Sequence, residues 1–336
     1  MNQNYLFFNE NVNTPLTKEK IKKVLIIRFS SIGDIVLTTP VIRCVKEQLN
    51  CEVHFLTKKS FETILVLNPH LDKIYTINNK VSEVLPQLKS ENYDAIIDLH
   101  KNLRTLQVRW ALRVPYFSFD KLNWEKWMMV NFKINRLPKI HIVDRYMAAV
   151  KELGVKYDGK GLEPLKTEEQ PLEDKVVFVI GGAHATKRLP VAKIISICSK
   201  INMPIILLGG KEDEGVGEKT VLAINEDRVI NMCGKTTLQE SIQLIKNAKK
   251  VITHDTGMMH IAASFQKEII SIWGNTIPEF GMTPFYADGI VRNTIVQVEN
   301  LSCRPCSKIG FEKCPKGHFK CMMEIDEGKV VQALKE

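Results

Sequence analysis

The feature that most constrains this chain is a regular alternation of short apolar runs and amphipathic stretches, which occurs twice. In the first half, the apolar runs cover residues 23–29, 52–57, 73–77 and 93–99. In the second half, they cover residues 176–180, 205–208, 228–232, 251–253 and 269–273. Strands that alternate with helices are typical of parallel sheets covered by helices on both faces. The sequence therefore predicts an α/β fold that is built twice.

A chain of 336 residues suits two domains of ordinary size. The boundary is predicted at residues 157–174, a polar segment with glycine and proline and without apolar periodicity. We predict an N-terminal Rossmann-like domain at 1–156 and a C-terminal one at 175–336. Open parallel sheets bind ligands at the carboxyl ends of their strands, so two doubly wound domains that face each other create a central binding cleft.

Composition restricts the class of protein and its partners. The chain is 44% hydrophobic and 25% charged, and it lacks an apolar run of the roughly 20 residues that a spanning helix needs. Residues 1–15 lack the basic and apolar regions of a secretory signal, so we expect a cytoplasmic protein. The net charge of +9 favours anionic partners. Because no nucleic-acid-binding motif is present, phosphorylated substrates or anionic lipids are expected instead of nucleic acid.

A basic and aromatic segment lies at residues 117–136 and contains Trp124 and Trp127. Aromatic groups beside lysines suit a membrane interface or a lipid-bearing substrate. The alternative is a helix that packs on its own domain and keeps its lysines in solvent.

Four of the eight cysteines are clustered in one segment near the end of the chain. They are Cys303, Cys306, Cys314 and Cys321. The first two form a C-x2-C pair, which in a cytoplasmic protein favours a metal site over disulfides. The later spacing is not a strong zinc pattern, so reduced structural cysteines are the alternative to a structural zinc ion. Either way, we expect a structural role for this segment.

A strand–loop–helix junction in the second half is predicted to bind an anion. The strand ending at Thr253 is followed by Asp255, Thr256 and Gly257, and then by a helix. Free N–H groups in the first turn of a helix attract phosphate, and glycine permits close approach of a ligand. The alternative is that Asp255 merely caps the helix.

Residues 30–34, Ser-Ser-Ile-Gly-Asp, form a similar junction after the first strand. They match neither a dinucleotide fingerprint nor a P-loop, so neither a nicotinamide cofactor nor ATP hydrolysis is indicated. Asp34 at this turn can accept a proton from an incoming hydroxyl or can cap the helix.

Two further turns bring charged groups to the strand ends of the second domain. Thr186, Lys187 and Arg188 follow a double glycine and precede Pro190. Cations are unfavourable at a helix N-terminus, so these two predict a bound anion; ordinary surface residues are the alternative. The turn at 208–214 contains carboxylates, one of which can accept hydrogen bonds from a ribose.

Taken together, six segments resemble the bacterial ADP-heptose:lipopolysaccharide heptosyltransferases, glycosyltransferase family 9. The segments are S-S-I-G-D at 30–34, Y-D-A-I-I-D-L-H at 93–100, G-G-A-H-A-T-K-R-L-P at 181–190, L-L-G-G at 207–210, D-T-G-M-M-H-I-A-A at 255–263 and W-G-N-T-I-P at 273–278. They follow one another in the order expected for that family.

The resemblance implies a GT-B fold, with an acceptor-binding first domain and a sugar-nucleotide-binding second domain. It implies an inverting transfer of heptose without a required cofactor or catalytic metal. Asp34 then matches the general base, and Lys187 matches a lysine near the donor phosphates. The other donor-binding residues would be Thr186, Arg188, Glu214, Asp255, Thr256, Gly257 and His260. The acceptor-binding residues would be Ser30, Ser31, Gly33 and His100.

The expected partners are an ADP-sugar donor and a lipopolysaccharide-precursor acceptor, with peripheral contact at the cytoplasmic face of the inner membrane. Two alternatives stay open from the sequence. One is a sugar-nucleotide epimerase of the same fold, and the other is a nucleotide-sugar-binding module without catalysis.

Overall fold

The computed structural model describes residues 20–335 and contains two parallel sheets in sequence. The prediction about a secretory signal at residues 1–15 lies outside these residues. The first sheet has the strand order β3-β2-β1-β4-β5. Its strands are β1 (Lys23–Ile27), β2 (Glu52–Lys58), β3 (Lys73–Ile77), β4 (Ala95–Asp98) and β5 (Tyr116–Ser118). The central strand β1 pairs in parallel with β2 and β4, and its last four residues are buried.

The second sheet has the order β11-β10-β9-β6-β7-β8 and is also parallel. Its strands are β6 (Glu173–Val179), β7 (Ile205–Leu208), β8 (Val229–Asn231), β9 (Ala248–His254), β10 (Glu268–Trp273) and β11 (Asn293–Gln297). In both sheets the order reverses beside a central strand, which is the doubly wound arrangement. The predicted α/β class is thus confirmed.

The helices connect the strands and cover the two sheets. In the first half they are α1 (Ile32–Val36), α2 (Thr39–Leu49), α3 (Leu85–Ser90), α4 (Leu103–Leu112), α5 (Asn123–Phe132) and α6 (Ile142–Val150). In the second half they are α7 (Val191–Ser199), α8 (Glu214–Ile224), α9 (Leu238–Asn247), α10 (Gly257–Ser264), α11 (Lys320–Met323) and α12 (Glu327–Lys335). Within residues 20–335, none of these helices has the length and apolar content needed to cross a bilayer.

The two halves pack against each other through the beginnings of α1 and α10. A Cβ atom at Gly33 would lie 2.5 Å from Cδ2 of His260, and one at Gly257 would lie 2.8 Å from Cβ of Ile32. Side chains of this size do not fit, so glycine at both positions allows the two helices to approach. One apolar cluster continues across this junction and includes Ile35 and Met259. The junction brings the carboxyl ends of β1 and β9 together.

Helix α5 does not pack as an ordinary surface helix, because none of its ten residues is buried. Trp124 is 62% exposed and Trp127 is 44% exposed. The two indoles stack with ring centroids 5.1 Å apart, and Phe132 meets Trp127 edge-on at 5.2 Å. Because α5 has no buried residue, it does not belong to the core of its domain.

Candidate active site

Asp34 lies in the first turn of α1, which follows β1 after a loop of residues 28–31. Its Oδ2 accepts hydrogen bonds from the backbone N–H and the hydroxyl of Ser31, at 3.1 and 2.8 Å. Its Oδ1 lies 2.7 Å from Nη2 of Arg28. Burial alone would raise the pKa of Asp34, but the Arg28 charge and the Ser31 hydrogen bonds outweigh it and lower the pKa below its usual range. Asp34 is therefore ionised at neutral pH.

Arg28 is a site residue that the sequence did not indicate. The residue is 8% exposed and follows directly on β1. Its Nη1 donates to the carbonyl of Leu99 at 2.6 Å and its Nε donates to the carbonyl of Ser30 at 2.7 Å. The guanidinium also lies 5.9 Å from the ring centroid of Tyr146. These contacts fix Arg28 in place, so it orients the Asp34 carboxylate as well as lowering its pKa.

His100 lies near this group, at the turn after β4. Its ring meets Phe29 edge-on at 5.3 Å, and its buried Nδ1 has no hydrogen-bond partner among residues 20–335. Burial and the nearby Arg28 charge lower its pKa to about 3, so the imidazole is neutral. The turn is held by buried Asp98, whose Oδ1 accepts from the backbone N–H groups of His100 and Lys101 at 3.0 and 2.7 Å. The neutral imidazole of His100 therefore has unused hydrogen-bonding capacity at Nδ1.

Lys187 and Asp255 form the centre of the second group. Nζ of Lys187 lies 2.6 Å from Oδ2 of Asp255 and donates to the Asp255 carbonyl at 3.2 Å. The hydroxyl of Thr276 donates to the same carboxylate oxygen at 2.8 Å. Both charged side chains are mostly buried, with 16% and 12% of their area exposed. Asp255 thus neutralises and positions Lys187, and an anionic ligand must compete with it for the ammonium group.

The beginning of α10 differs from the expected capped helix. Thr256 occupies the N-cap position but its side chain makes no capping hydrogen bond, and Asp255 is paired with Lys187 instead. The alternative that Asp255 merely caps this helix is therefore wrong. An uncapped first turn leaves its N–H groups available to an acceptor on a ligand. Gly257 is nearest to Ile32 of the first domain, so its lack of a side chain serves the domain junction.

His260 lies inside the junction between the domains. It is 2% exposed, and its Nδ1 has no partner among the described residues. Burial lowers its pKa to about 4, although the carboxylates of Asp255 and Asp34 oppose this effect. His260 is therefore neutral and within electrostatic reach of both Asp34 and the Lys187–Asp255 pair.

The other predicted donor residues have different surroundings. Arg188 pairs with buried Asp213 at 2.9 Å, and Asp213 accepts from the N–H of Gly210 at 3.0 Å. Arg188 therefore links two strand ends of the second sheet. Glu214 begins α8, and its carboxylate has no hydrogen bond or ion pair within residues 20–335. Thr186 is buried, and its hydroxyl both donates to the carbonyl and accepts from the N–H of Phe311. Its hydroxyl anchors the cysteine-rich segment and is not free.

The cysteine-rich segment packs next to the turn that carries Thr186 and Lys187. Cys303, Cys306 and Cys314 are half-buried, Cys321 is buried, and all are free thiols. Cys306 donates to the carbonyl of Cys303 at 3.2 Å, and Sγ of Cys303 lies 3.9 Å from Nε2 of His318. Burial raises the pKa of Cys306 to about 11 and that of Cys321 to about 12.

A tetrahedral zinc site needs four deprotonated ligands about 2.3 Å from the metal. Among residues 20–335, the three metal-ligating side chains that meet within 4.8 Å are instead Glu52, His54 and Glu91. Both carboxylates pair with Lys23. They lie at the amino-terminal ends of the strands of the first sheet, away from the cysteine-rich segment. No three of the four sulfur atoms lie within 4.8 Å of one another, so they are not grouped as a tetrahedral zinc site requires. Structural zinc and reduced structural cysteines both stay predictions for this segment.

Comparisons with known proteins agree with this geometry. The family model described as glycosyltransferase family 9 (heptosyltransferase) matches residues 81–314. Lipopolysaccharide heptosyltransferase 1 of Campylobacter coli is 26% identical, over 94% of this chain and 98% of that protein.

Two solved structures share the fold. The family 9 glycosyl transferase of Veillonella parvula superposes with a TM-score of 0.73 at 20% identity, covering 96% of this chain and 98% of that one. The Escherichia coli heptosyltransferase WaaC with ADP superposes with a TM-score of 0.69 at 17% identity, covering 93% and 99%. Two parallel α/β domains with these neighbours constitute a GT-B fold. The chain therefore belongs to glycosyltransferase family 9, the heptosyltransferase family, and is a glycosyltransferase.

Proposed function

We propose that this enzyme transfers heptose from ADP-heptose to an inner-core acceptor of lipopolysaccharide, either Kdo-lipid A or a heptosyl acceptor, with inversion and without a catalytic metal. The observation that carries the proposal is the arrangement at the α1–α10 junction. Buried His260 is within electrostatic reach of the ionised carboxylate of Asp34 and of the Lys187–Asp255 pair. This supports a base and a cation that act at one site at the strand ends of the two domains.

The donor half of the proposal rests on Lys187 and the start of α10. The bond between the anomeric carbon and the diphosphate oxygen breaks, and the leaving ADP takes the electron pair. Its growing negative charge needs stabilisation in the transition state. Lys187 supplies a mostly buried positive charge, and the uncapped first turn at Thr256 and Gly257 supplies N–H donors. Asp255, which already accepts from Thr276, would become free to accept from a hydroxyl of the donor once Lys187 turns to phosphate.

The acceptor half rests on Asp34. The acceptor hydroxyl attacks the anomeric carbon from the face opposite the leaving group, and its proton passes to Asp34. A carboxylate with a lowered pKa is a weak base, yet the hydroxyl proton becomes strongly acidic as the new C–O bond forms. Arg28 and Ser31 hold the carboxylate in its ionised form and in one orientation. Neutral His100 is proposed to bind an acceptor hydroxyl, together with Ser30 and Ser31 at the same turn.

The cations near Asp34 favour an acidic acceptor. Arg145 is 6% exposed, and its Nε and Nη2 have no hydrogen-bond partner among the described residues. Burial lowers the pKa of Lys126 to about 8, assisted by the charges of Arg145 and of Lys308. Neither Arg145 nor Lys126 has an ion pair within 4 Å among the described residues, and cations held close together in this way are typical of an anion site. Carboxylate and phosphate groups of an inner-core acceptor would supply the counter-charge.

The proposal is tested by product analysis with ADP-heptose and deacylated inner-core acceptor. We expect release of ADP and formation of a heptosylated product only when both substrates are present, and an Asp34→Asn variant that binds ADP but turns over at least about a hundredfold more slowly. Release of free nucleotide without acceptor turnover would favour the epimerase alternative. An Asp34→Asn variant with full activity would contradict the assignment of the base.

A titration with ADP, UDP, GDP and CMP tests the donor nucleotide separately. Selective binding of ADP that weakens in Lys187→Ala is the expected result. Preference for another nucleotide would keep the family and overturn ADP-heptose as the donor. Because the proposed acceptor is anchored in lipid, the enzyme is expected to work as a peripheral protein at the cytoplasmic face of the inner membrane.

A further inference from the structure

The segment around α5 presents apolar side chains that the protein itself does not cover. Trp124, Trp127 and Phe132 are 62%, 44% and 57% exposed, although they contact one another. Ile134 and Ile140 continue this exposure beyond the helix at 44% and 45%. Several exposed large apolar groups within one segment of a folded domain indicate an interaction surface. We call these five residues the α5 surface.

The charge around the α5 surface identifies the kind of partner. Residues 121–139 contain five cationic side chains, Lys121, Lys126, Lys133, Arg136 and Lys139, and a single acidic one, Glu125. Neither Arg136 nor Lys139 has a hydrogen bond or an ion pair among residues 20–335. A protein partner would need a patch that is both acidic and apolar, whereas an anionic bilayer offers phosphate groups above hydrocarbon along its whole surface. Indoles prefer that boundary.

The α5 surface is also anchored beside the candidate active site. Nζ of Lys133 donates to the carbonyl of Pro305 at 2.6 Å, which ties the end of α5 to the cysteine-rich segment of the second domain. Lys126, on the same helix, is within electrostatic reach of Asp34. One helix therefore adjoins the proposed base and exposes aromatic rings to the outside.

We propose that the α5 surface binds the anionic face of a phospholipid bilayer and thereby holds the cleft next to a lipid-anchored acceptor. The binding itself follows from the exposed aromatic and cationic residues, while its purpose rests on the proposed heptosyl transfer. The indoles and Phe132 would enter the headgroup region, and Arg136 and Lys139 would pair with lipid phosphates.

Vesicle binding of the full chain tests the proposal. The probes are phosphatidylglycerol vesicles and neutral phosphatidylcholine vesicles, measured by co-sedimentation at low and high salt. We expect binding to the anionic vesicles that weakens with salt. Trp124→Ala/Trp127→Ala should bind at least about tenfold more weakly, since two interfacial aromatic groups are lost. In Arg136→Gln/Lys139→Gln, the affinity for anionic vesicles should fall by about fivefold or more for each charge removed.

Matched controls come from the second domain. Leu222 is 78% exposed and far in sequence from α5, so Leu222→Ala should bind vesicles like the wild type. Lys219→Gln/Lys235→Gln removes two exposed charges there and should also leave binding unchanged. Anionic vesicles that fail to bind the wild type, or that bind the double tryptophan variant equally well, would overturn the proposal. A dimer that dissociates in the tryptophan variant, without vesicle binding, would identify a second copy as the partner and would also overturn it.

Activity assays separate this proposal from the proposed function. With a deacylated, soluble acceptor the tryptophan variant should turn over normally, whereas with an acceptor embedded in vesicles it should be slower by about tenfold. Vesicle binding without any heptosyl transfer would support the α5 surface as a membrane-binding site and contradict the proposed function. Transfer to the soluble acceptor without vesicle binding would support the proposed function and contradict membrane binding by the α5 surface.

Discussion

At the scale of single residues, the interaction between Arg28 and Asp34 sets the protonation of the proposed base. Arg28 lies 2.7 Å from the carboxylate and helps to hold its pKa below the usual range. Removing a positive charge disfavours the ionised form, so Arg28→Gln raises the pKa of Asp34. Activity needs ionised Asp34, and the acid limb of kcat/KM against pH should therefore move to higher pH. The measurement is a pH profile with the deacylated acceptor.

Arg28→Lys is the control for this prediction because it retains the positive charge. Its acid limb should stay close to that of the wild type, although lysine cannot reproduce the separate hydrogen bonds to Ser30 and Leu99. The hypothesis fails if both variants show the wild-type acid limb. In that case Arg28 would be a structural residue of the first sheet only.

Lys187 is predicted to act mainly in the transition state. Lys187→Ala should lower kcat by about a hundredfold or more, as loss of a single donor to a developing oxyanion does. The variant should also weaken ADP binding, because the donor phosphates lose their counter-charge. Steady-state kinetics and calorimetry check the two effects. Lys235→Ala, which removes an exposed lysine of the same domain, should change neither; an equal loss in kcat there would contradict the assignment.

The residues that follow strands in recognisable turns could be identified from the sequence. Residues whose contacts depend on which strands are neighbours in the sheet could not. Asp34 and Lys187 each lie in the junction that follows an apolar strand, so their position could be predicted. Arg28 is joined to Leu99 only because β1 and β4 are neighbours, and Thr276 reaches Asp255 only because β10 lies beside β9. Strand order cannot be predicted from local sequence, so the residues that pair with Asp34 and Asp255 across neighbouring strands could not be predicted either.

At the scale of elements, the contact between α1 and α10 depends on two glycines. A methyl group at Gly33 would lie 2.5 Å from the buried ring of His260. Gly33→Ala should therefore force the two helices apart, lower the melting temperature and reduce kcat. Thermal unfolding and turnover of the purified variant measure these effects. The prediction concerns the junction specifically, since both domains retain their own sheets.

Gly215→Ala is the matched control, because nothing lies within 4 Å of a Cβ atom added there. Alanine favours a helix more than glycine does, so this variant should be as stable as the wild type or slightly more stable. A Gly33→Ala enzyme with unchanged melting temperature and activity would mean that the approach of α1 to α10 is not needed for function.

Element limits could be predicted where apolar periodicity is strong and no proline intervenes. The strands β3 and β7 have the limits expected from the sequence. The amphipathic stretch at 35–49 is divided between two helices, α1 and α2, because Pro40 occupies the first turn of α2 and the chain reorients before it. The edge strands β5 and β11 were missed, since β5 has no buried residue and β11 has one.

At the scale of the whole molecule, the cysteine-rich segment connects the donor group with the first domain. Phe311 is bound by Thr186, the N–H of Cys306 donates to the carbonyl of Asn275 at 3.1 Å, and Pro305 accepts from Lys133. Hydrogen bonds and packing maintain these links while the thiols are protonated. We therefore expect the purified enzyme to hold its shape without a bound metal. A chelator should leave both the melting temperature and the turnover unchanged.

The opposite expectation follows if the four thiols gather around zinc in solution. A structural metal contributes folding free energy, so its removal would lower the melting temperature and expose thiols to a reagent. Elemental analysis of the protein and thiol titration before and after unfolding distinguish the two cases. Stoichiometric zinc with masked thiols would contradict the arrangement described for residues 303–321. Loss of turnover in chelator without a change in stability would instead place a metal in catalysis, because Lys187 would then be insufficient for the charge of the leaving diphosphate.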